Sequence, residues 1–189
     1  MKDRLPPNQR KANRFPVLQA GGIPYDLTKK NWIIEIYGEV ENPKTYKYEE
    51  FIKLPTTKIK TDIHCVTGWS LFDIYWEGVL FKEIFKIVKP TEKAKYIIFE
   101  CADLGGTFTT SLPIKDLMGE DTMLAFKYDG EDLDVKHGGP VRGLAPKKYF
   151  YKSAKWVLKL KFVEKDELGY WEQGGYSNTA DPWKEERYA

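Results

Sequence analysis

Trp156, Leu158, Leu160 and Phe162 alternate with Val157, Lys159, Lys161 and Val163 late in the chain. One side of this stretch is strongly apolar and the other half charged. That is the pattern of a strand with one face in a core and the other toward water. Such a strand needs partners, and several stretches qualify. Residues 32–40 read as a strand closed by Gly38 and the turn at Asn42-Pro43, and residues 58–65 alternate as a strand should. Residues 95–101 form a nearly continuous apolar run, while 107–112 and 122–128 supply two more strands. Helical spacing is limited. It covers 46–54, with Tyr48, Phe51, Ile52 and Leu54 on one face, and 79–88, with Leu80, Ile84, Ile87 and Val88 as the stripe. Pro113 opens a short piece over 114–118. Without regular βα alternation, the expectation is a mixed α+β, strand-rich single domain. Residues 1–12 read as a flexible lead, and 13–189 as the domain, including an aromatic tail that wraps the body.

The chain has 189 residues, enough to bury a proper core. A net charge of +2 gives no reason to expect nucleic acid, and no window approaches the ~18 apolar residues of a membrane span. The basic first residues are followed by no apolar h-region and contain no Arg-Arg pair, so a cytoplasmic location is expected. Cys65 and Cys101, the two cysteines, suit a reducing compartment; in a secreted protein a single bridge between them would be the alternative.

Two stretches carry the chemistry. In Asp62-Ile63-His64-Cys65-Val66-Thr67-Gly68-Trp69-Ser70 an apolar run rises to a thiol and breaks into small and polar residues. Cys65 can be a small buried hydrophobe, half of a Cys–His pair with His137, or a lone soft ligand in a metal site completed by a cofactor. A zinc site is a poor competitor, because adjacent His64 and Cys65 on a strand point to opposite faces. The second stretch, His137-Gly138-Gly139-Pro140-Val141-Arg142, combines a ring donor, close-approach glycines and a phosphate-binding fork; it is also an ordinary turn composition. Lys152-Ser153-Ala154-Lys155 adds a hydroxyl and two ammonium groups, or is simply the solvated start of the strand.

Together with Phe15-Pro16-Val17-Leu18, residues 146–156 and the tail signatures Gly169-Tyr170-Trp171-Glu172-Gln173 and Asp181-Pro182-Trp183-Lys184, these stretches resemble the sulfite-oxidase-fold molybdopterin oxidoreductases. They look closest to the small, single-domain sulfite oxidase-like proteins. The resemblance implies the sulfite-oxidase molybdopterin-binding fold and a molybdenum-molybdopterin cofactor, with Cys65 as the protein's metal ligand and catalytic residue. It implies cofactor contacts at Asn13, Arg14, Phe15, Pro16, Val17, Cys101, His137 and Arg142, and at Ser153, Ala154 and Lys155 near the phosphate. Arg14 stands where sulfite oxidases carry a histidine.

The activity implied is transfer of an oxygen atom to or from a small-molecule substrate. A separate electron-transfer partner is expected, since no haem or iron–sulfur motif is present. Sulfite oxidases follow the ligand cysteine with Ala-Gly-Asn-Arg-Arg, whereas this chain has Val66-Thr67-Gly68-Trp69-Ser70, nearer the sulfoxide-reductase pattern. A pocket lined by Trp69, Asp73 and Trp76 would disfavour sulfite. The rival is a non-catalytic molybdopterin-binding or interaction domain that kept the fold.

Overall fold

The computed structural model describes residues 4–102 and 108–189. In chain order the strands are β1 (Arg10–Lys11), β2 (Ile33–Gly38), β3 (Lys44–Lys47), β4 (Thr57–His64), β5 (Trp69–Leu80) and β6 (Tyr96–Cys101). They continue with β7 (Thr109–Pro113), β8 (Met123–Tyr128), β9 (Glu131–Asp132), β10 (Arg142–Leu144) and β11 (Val157–Val163). The helices are α1 (Tyr48–Phe51), α2 (Phe81–Val88) and α3 (Tyr170–Gln173), with 3-10 turns at Ile114–Leu117, Val135–His137, Phe150–Lys152 and Pro182–Lys184. The result is the mixed, strand-rich α+β fold expected.

β11 is central in a five-stranded sheet of order β3-β2-β11-β6-β7, parallel to β2 and antiparallel to β6. The expected alternation holds at Leu160 and Phe162, both buried. It fails at the start of the strand. The register against β6 shifts between Val157 and Lys159, which turns Val157 inward and leaves Leu158 half-buried. Trp156 precedes the strand with φ 53°, and its indole N–H donates to Val135 O at 2.6 Å.

β5 organises the second sheet, pairing with β1, β4 and β8. Sequence pattern missed this twelve-residue strand. Asp73 sits at φ 60° within it, and register shifts interrupt its ladders with β4 and β8, so the alternation of inward side chains is broken. The helix expected over 79–88 begins only at Phe81, because Val79 and Leu80 still belong to β5. Its buried face is accordingly Phe81, Ile84, Phe85 and Val88 rather than a stripe that includes Leu80 and Ile87. Likewise the helix expected over 46–54 shrinks to α1, since Tyr46 and Lys47 pair in β3.

Two apolar clusters result. One lies against the five-stranded sheet and contains Trp32, Phe51, Phe81, Phe99 and Phe162; the other gathers Cys65, Trp69, Trp76, Met123 and Phe150 on the second sheet. Residues 4–12, read as a flexible lead, are laid along the body: β1 pairs in parallel with Trp69 and Ser70, and the Gln9 amide donates to Cys65 O at 2.9 Å. The tail after β11 also wraps the body. Tyr149 N–H donates to Ala180 O at 2.7 Å, and Arg187 donates to Val66 O.

Candidate functional site

Cys65 stands at the end of β4, where the chain leaves the sheet in a tight turn and returns as β5. Its N–H donates to Trp69 O at 2.8 Å, and Gly68 N–H donates back to Cys65 O at 3.0 Å. The turn needs Gly68 at φ 93°, a conformation that costs side-chain-bearing residues. Thr67 Oγ1 donates to Cys65 Sγ across 3.2 Å. The thiol is 8% exposed, and burial pushes its pKa up while the Thr67 hydrogen bonds oppose that shift.

The thiol lines a cavity of about 280 Å³. One wall is the Cys65 turn with Val66, Thr67 and Trp69. A second is the N-terminal segment, through Phe15, Pro16, Leu18, Gln19, Ala20 and Gly21. A third is the stretch before β11, through Phe150, Tyr151, Ser153, Ala154, Lys155 and Trp156, with Arg142 at its base. The tail and the start of β7 close it with Trp171, Tyr176 and Phe108.

Among the described residues, two cations of this cavity are tied to carbonyls rather than to carboxylates. Arg142 is 1% exposed; its guanidinium donates to His137 O and Ser153 O at 2.6 Å each and lies 4.2 Å from the Phe150 ring centroid. Burial pushes its pKa down to about 9. Lys155 Nζ donates to Leu18 O at 2.7 Å and Lys136 O at 2.9 Å, and desolvation, with Arg142 nearby, pushes its pKa down to about 7. Carbonyl dipoles leave most of both charges unneutralised, which is the electrostatic setting of an anion site. The Trp69 indole N–H is buried with no hydrogen-bond partner among the described residues, an orphaned donor in the same cavity wall.

Among the residues singled out from sequence, Cys65, Trp69, Phe15, Pro16, Arg142, Ser153, Ala154 and Lys155 come together here. Ser153 Oγ accepts from Ala145 N–H at 3.0 Å. Asn13, Arg14 and Val17 are exposed and do not line the cavity. His137 stands outside it as well. Its Nδ1 pairs with Asp134 Oδ2 at 2.7 Å, Nε2 faces Phe15 O at 3.3 Å, and the ring stacks on Phe15 at 4.2 Å. The imidazole thus holds the N-terminal segment against the cavity. The glycines beside it serve chain packing: a Cβ on Gly139 would meet Leu133 O at 1.9 Å, and one on Gly138 would meet Lys155 Cγ at 2.9 Å.

The expected substrate-pocket trio separates. Trp76 is fully buried in the second apolar cluster. Asp73 is exposed and ion-paired with Arg4 and Lys60 at 3.1 Å each, lining a different, polar cavity. The unrecognised strand β5 explains both, since its bulged pleat sends Trp69 and Asp73 to different sides. Cys101 lies in the first apolar cluster, and no disulfide joins it to Cys65, the bridge considered for a secreted protein. Sequence reasoning missed Thr67, Tyr151 and the tail residues Trp171 and Tyr176 as cavity wall; the only signal was the tail's density of large rings.

The chain is similar to known proteins over most of its length. The family described as "Oxidoreductase molybdopterin binding domain" matches residues 20–171. The uncharacterized oxidoreductase YuiH of Bacillus subtilis is 40% identical over 187 residues, covering 98% of this chain and 92% of that protein. The protein-methionine-sulfoxide reductase catalytic subunit MsrP of Burkholderia mallei is 34% identical over 78% of this chain, which spans 50% of that subunit's length. The sulfane dehydrogenase SoxCD from Paracoccus pantotrophus shares the fold, with a TM-score of 0.66 at 24% identity over 74% of this chain and 40% of that one.

Proposed function

The chain belongs to the molybdopterin-binding oxidoreductase family, and from that premise we propose that it is a molybdenum-cofactor enzyme moving an oxygen atom to or from a small neutral substrate. One observation carries this reading. A soft thiol and two cations with no carboxylate partner among the described residues line a single cavity.

These residues fit the group. Cys65 would give the metal its protein ligand, because a thiolate suits a soft metal and binding holds it deprotonated. Lys155 would take the phosphate end, with the Ser153 hydroxyl beside it and Arg142 supplying charge from below. The unpartnered Trp69 N–H would donate to an acceptor of the bound group. When bound, the cofactor supplies two-electron redox chemistry, and the chain supplies binding, orientation and electrostatics. Thr67 Oγ1 orients the Cys65 sulfur, while Phe15, Phe150 and Trp171 exclude water.

The cavity walls favour a neutral S=O or N–O compound over sulfite. A small dianion calls for open arginines at the reacting centre, and Arg142, the one arginine among the described cavity residues, is spent on backbone carbonyls. The relatives described as protein-methionine-sulfoxide reductases support the same direction. Electrons would pass to or from a separate partner protein. A cytoplasmic location is part of the reading, supported by two cysteines that are not joined in a disulfide. Steady-state assays with an artificial electron carrier test it: turnover of a sulfoxide is expected, with kcat/KM for sulfite well below about 10⁴ M⁻¹s⁻¹. Efficient sulfite oxidation overturns the substrate assignment, and protein without a redox-active metal after expression with molybdate overturns the enzyme.

A further inference from the structure

One ammonium group gathers the walls of the Cys65 cavity. The Lys152 side chain has no exposed surface, and its Nζ donates to Ser111 O at 2.9 Å, Asn178 Oδ1 at 2.9 Å and Glu172 Oε1 at 2.5 Å. All three ammonium protons are used. The three acceptors belong to three segments, and each segment carries a residue of the cavity wall. Ser111 lies on β7, which Phe108 leads into; Glu172 follows Trp171 in α3; Asn178 comes two residues after Tyr176. Lys152 itself sits between Tyr151 and Ser153, both in the wall.

The network is tightened from the tail side. Thr110 Oγ1 donates to Glu172 Oε1 at 2.8 Å, and Asn178 Nδ2 donates to Asp166 Oδ2 at 2.6 Å. The rings it holds are in mutual contact, with centroids 5.1 Å apart for Trp171 and Tyr176 and 5.5 Å for Tyr176 and Tyr151. Stability alone does not account for it. Glu172 Oε2 and Ser111 Oγ are buried without partners among the described residues, and a buried ion pair is often no better than apolar side chains of similar volume. What the pair adds is a fixed position for the tail. We propose that Lys152 and Glu172 are positioning residues that hold Trp171 and Tyr176 across the cavity mouth and so set the size of molecule that reaches Cys65.

The catalytic consequence rests on the oxidoreductase reading, but access to Cys65 is measured without it. The test uses the full chain freed of cofactor and two thiol reagents, iodoacetamide and a maleimide bearing a bulky polyethylene glycol. Labelling at Cys65 and Cys101 is resolved by peptide mass spectrometry. The double variant Lys152→Met/Glu172→Leu removes both charges without leaving either one orphaned. Bulky labelling of Cys65 is expected to accelerate about tenfold or more, with iodoacetamide labelling and Cys101 changing by less than about threefold. Trp171→Ala, which removes the wall and keeps the ion pair, should reproduce that pattern. On loaded enzyme the double variant should raise kcat/KM for a bulky aryl sulfoxide relative to dimethyl sulfoxide by about tenfold at equal cofactor content. If neither sulfoxide turns over, the oxidoreductase reading fails and the labelling still decides this inference. Unchanged Cys65 labelling in the double variant, or equal acceleration at both cysteines, overturns it; so does opening by Trp171→Ala alone.

Discussion

Cys65 and His64 are neighbours in the chain and open onto two different cavities. Cys65 lines the largely apolar one, while His64 lines a polar one of about 350 Å³ with Asp62, Asp73 and Lys60. His64 Nδ1 lies 2.8 Å from Ser70 Oγ, which donates to Gln9 Oε1 at 3.2 Å, and the Gln9 amide donates to Cys65 O. Ser70 has one proton and directs it to Gln9, so it accepts from His64 Nδ1–H. The imidazole braces the Cys65 turn from behind, and the thiol faces the cavity without it.

Cys65 is therefore expected to be the sole protein ligand of the metal; no group of three or more ligating side chains occurs among the described residues. Cys65→Ser should keep a cooperative unfolding transition and retain at least about tenfold less molybdenum, because a hard hydroxyl replaces a soft thiolate. Cys101→Ser, in the apolar cluster, should lose about 1 kcal/mol of stability and keep its metal. Metal analysis of both proteins decides it, and equal metal loss in the two would sink the assignment.

Arg142 is expected to serve both the fold and the cofactor, and its structural part is not visible in the sequence. Arg142→Ala removes the donors of two 2.6 Å hydrogen bonds and strands the carbonyls of His137 and Ser153 in a buried setting. A stability loss of about 3 kcal/mol is expected, together with cofactor retention weaker by about one to two decades. Urea unfolding and cofactor content after dialysis report the two effects separately. A variant that unfolds earlier yet retains cofactor fully would confine Arg142 to structure.

The fold class was legible because its strongest signals are local. The apolar run of β6 and the alternation of β4 survive any tertiary context. β5 was not legible, since a positive φ at Asp73 and shifted registers break the period that reveals a strand, and without that strand Trp69, Asp73 and Trp76 read as neighbours in one pocket. The site split along the same line. Cys65, Arg142 and Lys155 bear chemistry that sequence can name. The wall residues Trp171 and Tyr176 belong to a tail folded back on the body, tied there in part by the buried Lys152–Glu172 ion pair, and that pairing spans twenty residues without any periodic signature.

Gly138 offers a test of how the Gly-Gly-Pro turn works. It adopts φ 103°, and an added Cβ would stand 2.9 Å from Lys155 Cγ. Gly138→Ala should cost about 1–3 kcal/mol and displace Lys155, weakening cofactor retention as well. Gly130, at φ 89° with open space around it, is the control: Gly130→Ala carries only the backbone strain. Equal denaturant midpoints for the two variants would show that contact with Lys155 contributes nothing.

Lys155 should make both stability and cofactor retention depend on pH. Its pKa is pushed down to about 7 by burial, whereas in the unfolded chain it returns to about 10.4. Between those values the unfolded chain holds a proton that the folded protein has released. The cofactor-free protein therefore gains stability as pH rises from about 7, and is least favoured below that, where the folded state carries a buried ammonium. A bound phosphate reverses the balance by favouring the charged form, so binding takes up a proton above pH 7. Retention is thus expected to be strongest below pH 7 and to weaken by up to about tenfold per unit above it. Lys155→Met should flatten both profiles. Cofactor content after gel filtration at a series of pH values measures the second, and an unchanged slope in Lys155→Met would rule out this ammonium as the phosphate's partner.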